Sequence, residues 1–123
     1  MHNIWITDSK VHLQTRAWQW RNEMNPVSSL LARFDHAGLV PVLDEHGDIV
    51  GVEYDGHETK ELMALLSELS KHWRNGSWIE WRDDDGERWL HRYENGVVVA
   101  YFPEERWVST NGTVMEVTNV QTQ

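Results

Sequence analysis

The chain has 123 residues and a formal net charge of −9, from 11 Lys and Arg against 20 Asp and Glu, with eight tryptophans and no cysteine. Its length makes one domain, residues 1–123, large enough to bury a core without covalent staples. The missing thiols exclude disulfides, zinc–thiolate centres and cysteine nucleophiles, while the negative field opposes general binding to nucleic acid or anionic membrane.

The opening stretch MHNIWITDSK lacks the apolar run of a signal peptide, and no segment approaches the roughly 18 apolar residues of a membrane span. A cytoplasmic location without membrane contact is expected. Asn3 to Thr7 reads as a short strand, with Asp8-Ser9 as a turn or helix cap. Beyond it, Val11, Leu13, Thr15 and Ala17 alternate like a second strand, whereas Leu13, Ala17, Trp20 and Met24 recur with helical spacing. Two strands are favoured, because the helix would leave Val11 and Trp18 off its stripe. Asn25-Pro26 is a clearer signal: asparagine caps exposed amides, and proline at the first helical position loses no hydrogen bond. Val27, Leu30, Leu31 and Phe34 then follow at i, i+3, i+4 and i+7, and Gly38 suits a left-handed stop. The spacing predicts a helix from about Pro26 to Ala37.

Leu39–Leu43 and Ile49–Tyr54 flank turn residues at Glu45-His46-Gly47, which predicts a hairpin. Pro41 has no amide to donate, so its strand is expected at an edge. Asp55 and Glu58 resemble a capping box for a second helix, whose stripe is Leu62, Leu65, Leu66, Leu69 and Trp73, and Asn75-Gly76 ends it. The run from Ser77 to Phe102 then carries two turn signals, Asp84-Asp85-Gly86 and Asn95-Gly96. They fix a register with Glu94 opposite Val97, Asp83 opposite Glu87 and Trp81 opposite Trp89. One face of this three-stranded meander collects Ile79, Trp81, Trp89, His91, Tyr93, Val98, Ala100 and Phe102. The other collects Trp78, Glu80, Arg82, Arg88, Leu90, Arg92, Val97, Val99 and Tyr101. Asn111-Gly112 predicts one more hairpin within Trp107–Val120. The fold class expected is α+β: an antiparallel sheet of hairpins and a C-terminal meander, packed with two amphipathic helices.

No motif for catalysis stands out. Asp44, His46, Asp48 and His57 share one acidic stretch, but without H-E-x-x-H, facial-triad or EF-hand spacing, and a turn accounts for them. His91 falls on the apolar face, where a histidine is more often a core residue than a catalyst. Ser28, Ser29, Ser67 and Ser70 lie in predicted helices without a nucleophile elbow, and no phosphate-binding glycine loop is present. Asp83, Asp84 and Asp85 are ordinary formers of a turn tip. No enzyme activity, metal or other cofactor is therefore expected.

Charge placement is more informative. No Lys or Arg stands between Arg33 and Lys60, a stretch that holds Asp35, Asp44, Glu45, Asp48, Glu53, Asp55 and Glu58. Solvation alone explains such a run, but it also forms a recognition surface for a basic partner, with Asp44, Glu45, Asp48, Glu53 and Asp55 as its contacts. An alternative ligand face is Trp78, Arg82, Arg88, Arg92 and Tyr101, whose arginines and rings could hold a nucleotide unless they pair with Glu80 and Glu94. The function expected is that of a small acidic, non-enzymatic protein that binds and inhibits a basic macromolecule, such as a nuclease or nucleic-acid-binding machine. Immunity proteins and phage-encoded inhibitors of bacterial defence are of this type. A nucleotide-binding module or a structural assembly subunit are the alternatives.

Overall fold

The structure, a computed structural model, describes residues 2–15, 26–103, 107–112 and 114–115. Its elements are β1 (Asn3–Lys10), α1 (Pro26–Ala37), β2 (Val40–Leu43), β3 (Ile49–Glu53), β4 (Asp55–His57), α2 (Lys60–Leu69), β5 (Trp78–Asp83), β6 (Arg88–Glu94), β7 (Val97–Pro103), β8 (Trp107–Ser109) and β9 (Val114–Met115). All strand pairs are antiparallel. Seven strands form one sheet in the order β4-β1-β5-β6-β7-β8-β9, and β2 and β3 form a separate pair. The fold is α+β, as the alternation of helical and strand periods implies. Among the described residues, no helix is long and apolar enough to cross a membrane.

The meander forms in the register set by its turns. Trp81 faces Trp89, Glu94 faces Val97, and the Asp83 N–H donates to Glu87 O at 3.1 Å. Asn95 and Gly96 both take positive φ, as a two-residue hairpin turn needs. The terminal hairpin is present as β8 paired with β9, on either side of Asn111-Gly112. α1 has the predicted bounds, and its Asn25 cap lies outside the described residues, as do Ala17, Trp18, Trp20 and Met24.

Other boundaries differ from expectation. Asp8-Ser9 is not a turn: β1 runs through it, accommodating an irregularity between Ile6 and Asp8 in its pairing with β5. The Asp8 carboxylate accepts the Ser9 N–H at 2.8 Å, a local bond that a turn or a bulge uses equally well. The second helix does not start at Asp55, which belongs to β4. Thr59 caps it instead, with Oγ1 accepting the Leu62 N–H at 3.1 Å. Pairing of Asp55–His57 with Asn3–Trp5 satisfies more backbone groups than one extra helical turn at a frayed end would.

Both helices turn their apolar stripes onto one sheet face. Leu30 and Phe34 of α1, and Leu62, Leu65, Leu66 and Leu69 of α2, join Ile4, Ile79, Trp81 and Tyr93 in the main core. The Trp81 ring meets Tyr54 edge-on at 6.2 Å, and Trp73 sits 6.3 Å from Tyr93. Burial fades along the meander: Trp89 is half-buried against the core, while Val98 and Phe102 are exposed. The opposite face, expected to be mixed, has a smaller core of its own, with Leu90 and Tyr101 buried and Trp78 and Val99 packed on them.

Trp81→Ala should cost about 3–5 kcal/mol, since a fully buried indole leaves a cavity. Trp89→Ala should cost clearly less, because part of that ring is already in water. Urea denaturation of the two variants gives the comparison.

Candidate functional site

The β2–β3 hairpin is held together by its own acids. Asp44 Oδ1 accepts the backbone N–H groups of His46 at 2.8 Å and Asp48 at 2.9 Å, and Gly47 takes φ 81°. Partial desolvation raises the Asp44 carboxyl, but those two N–H bonds and the nearby His46 and His12 outweigh it and hold the group below the usual carboxylate range. The stabilisation is present above the ordinary carboxylate range and is lost as pH falls through the folded value. Asp48 departs from expectation. It is only 5 % exposed, with Oδ2 3.4 Å from His12 Nε2. Thr15 Oγ1 donates to Gly47 O at 2.9 Å, so segment 12–15 clamps the turn from beneath. A charge-reversal test at Asp48 would therefore read stability rather than recognition.

The remaining acids of this stretch do face solvent. Glu45 is 86 % exposed, and Asp35, Glu53, Asp55 and Glu58 are exposed as well. Arg33, the cation that borders the stretch, is paired with Glu68 of α2. Between these carboxylates lies a feature that the acidic run conceals: Val40, Val42 and Leu43 of β2 are 52, 42 and 45 % exposed. β2 pairs with β3 along one edge, and no partner for its other edge is found among the described residues. Grooves flank this strand. One of about 350 Å³ lies between β2 and the end of α1, and another of about 310 Å³ lies over β3, between Val42 and β1, bordered by Asp8 and Glu53. Gly51 keeps the second one open, since a Cβ there would stand 3.3 Å from Val42 Cβ. The edge position agrees with Pro41, whereas no signal in the sequence shows that the apolar side chains of this strand are exposed.

Trp78, Arg82, Arg88, Arg92 and Tyr101 do share a sheet face, as the register requires. Their chemistry there is largely internal. Arg88 donates to Glu80 Oε2 from Nε at 3.1 Å and Nη2 at 2.8 Å, and Arg92 Nε lies 3.2 Å from Glu94 Oε1. Glu80 is buried, and the two Arg88 N–H groups on its one oxygen offset the cost of burying the pair. Tyr101 is buried, its hydroxyl raised by desolvation and by Glu94, and Trp78 packs beside it rather than standing free as a stacking platform.

Comparison of the chain with family models, curated proteins and solved structures finds no match. Function is accordingly argued from the surface itself.

The histidines and the acidic turn tip have local roles. His2, Asp83 and Asp85 bring ligand-capable atoms within 4.8 Å of one another. Both Asp83 oxygens are already engaged, Oδ1 by the N–H groups of Asp85 and Glu87 and Oδ2 by His2 Nε2 at 3.1 Å. His91 is largely enclosed on the core face of β6, and burial lowers it from 6.5 to about 4. At neutral pH it is uncharged.

The sign of its pH dependence follows. The unfolded imidazole takes a proton near 6.5 and the folded one only near 4, so this contribution is complete above pH 6.5 and is lost progressively down to about 4. By pH 4 the loss amounts to about 3 kcal/mol. His91→Leu should remove that component, so urea midpoints at pH 7 and pH 4.5 should differ less in the variant than in the wild type. Asp48→Ala should cost about 1–3 kcal/mol by removing the buried partner of His12 Nε2, against less than about 0.5 for the exposed Glu45→Lys.

Proposed function

We propose that this protein binds a basic macromolecule through the β2–β3 hairpin and blocks it, in the manner of immunity proteins and phage-encoded inhibitors. One observation carries the proposal: three exposed apolar side chains, Val40, Val42 and Leu43, lie in a stretch without Lys or Arg that also holds exposed Glu45, Glu53 and Asp55. An apolar centre supplies contact area that dehydrates on binding, and a single-sign rim steers a partner of opposite sign. Pro41 cannot donate from β2, so recognition rests on side chains more than on an added strand. A partner that normally grips phosphates fits this charge pattern, because carboxylates can occupy the same cationic site. The pairing of Arg88 and Arg92 with Glu80 and Glu94 weighs against the nucleotide-binding alternative.

Glu45→Lys, Glu53→Lys and Asp55→Lys combined should leave urea stability within about 0.5 kcal/mol of wild type, these being surface positions. Proteins captured from cell extract by the wild type are the candidates for kinetic measurement against both forms. Association should slow about tenfold or more at low salt, and the gap should narrow above about 0.15 M salt as screening removes the steering. Equal association by both forms would remove the hairpin as the binding surface.

A further inference from the structure

We infer that the groove between the end of α1 and β2 is a receptor for one arginine or lysine side chain of that basic partner. This deepens the hairpin reading and rests on it. Leu31, Leu39, Val40, Pro41 and Leu43 line a cleft of about 350 Å³, and Asp35 contributes the carboxylate. Leu31 and Asp35 are four residues apart on α1, so they share one helix face and form a wall that is part apolar and part acidic. The floor is Leu39, fully buried, and the opposite wall is the exposed pair Val40 and Leu43.

Two features select a cation for this cleft. Asp35 is exposed and belongs to the stretch without Lys or Arg. The cleft also opens at the C-terminus of a 12-residue helix, where aligned peptide dipoles leave partial negative charge. That terminus is closed by Gly38 at φ 77°, with the Leu39 N–H donating to Phe34 O at 3.0 Å and the Gly38 N–H to Asp35 O at 3.1 Å. The closure turns the chain sharply into β2 and sets Val40 across from Leu31. A long cationic side chain suits both halves of the cleft: its methylene stem covers the leucines and its head reaches the carboxylate. A phosphate would be repelled, and a hydrated metal ion would find one carboxylate among apolar walls.

The tripeptide acetyl-Leu-Arg-Leu-amide is the probe, with the same peptide carrying citrulline as a neutral isostere of arginine. Titration is followed by amide chemical shifts in NMR spectra. Saturable shifts are expected at Gly38, Leu39, Val40 and Leu43, with millimolar affinity and the citrulline peptide about fivefold weaker. Asp35→Asn, an exposed substitution, should cut the preference for arginine to less than about twofold, the remainder coming from the helix terminus. Equal affinities in the wild type, shifts centred elsewhere, or no saturation up to about 20 mM would overturn the assignment. The outcomes separate the two levels of the proposal. If reversal of Glu45, Glu53 and Asp55 removes partner binding while the peptides show no preference, the hairpin surface stands and the cleft falls. If the peptides discriminate as expected but partner binding ignores the reversal, the broader function falls.

Discussion

The structure depends on the pairing of its first segment along both edges. β1 lies between β4 and β5, so residues 3–10 hydrogen-bond to chain that arrives about fifty and about seventy positions later. The same side of the segment continues past the sheet. Ile6 donates to Tyr54 O at 2.9 Å, Ser9 Oγ accepts the Val52 N–H at 3.2 Å, and Leu13 and Ile49 exchange bonds at 2.9 and 3.0 Å. The hairpin is therefore fastened to the main sheet through β3, which leaves β2 on the outside. Without this attachment, the hairpin would be a two-stranded ribbon, and such ribbons are marginal in water.

Three buried carboxylates sit at the joints of this framework, each with a cationic or ionisable partner. Glu80 is gripped by Arg88, Asp83 meets His2, and Asp48 meets His12. Each links segments distant in sequence or adjacent strands, and each removes a carboxylate from the surface. What remains outside is thereby sorted. Acids with structural tasks turn inward or bond to backbone, and acids without one, Glu45, Glu53 and Asp55, are left to solvent. The exposed charge of the hairpin is smaller than its sequence suggests, and more concentrated.

Local chemistry explains what the sequence made legible. Turns that need positive φ announce themselves through Asn-Gly and Asp-Gly, and a turn fixes the register of every residue beyond it. Hence the meander, α1 and the opposed faces of β5 and β6 were readable. The failures are non-local. Asp55–His57 forms a strand because Asn3–Trp5 lies ready to pair with it, and nothing near Asp55 signals that. Asp48 is buried because His12 and Thr15 close over the turn from another part of the chain. Val40, Val42 and Leu43 look like core because alternation and apolarity cannot show that one side of a strand is uncovered. The site was half visible for that reason: its charge was in the composition, and its apolar centre was in the topology.

An exposed apolar edge strand is an aggregation hazard unless something opposes self-pairing. Here the opposition would come from the same residues that the proposed function assigns to a partner. Apposing β2 from two copies would gather Asp35, Glu45, Glu53 and Asp55 of both, like charges at close range in a molecule already at −9. Pro41 further breaks the row of donors that such a pair would share. A basic partner meets neither obstacle: its charge relieves the repulsion and its side chains need no ladder of backbone bonds. On the proposed reading, one set of carboxylates would do two jobs, opposing a second copy of the chain and attracting a surface of opposite sign. Specificity for such a partner would arise from that difference, since an apolar centre alone would accept both.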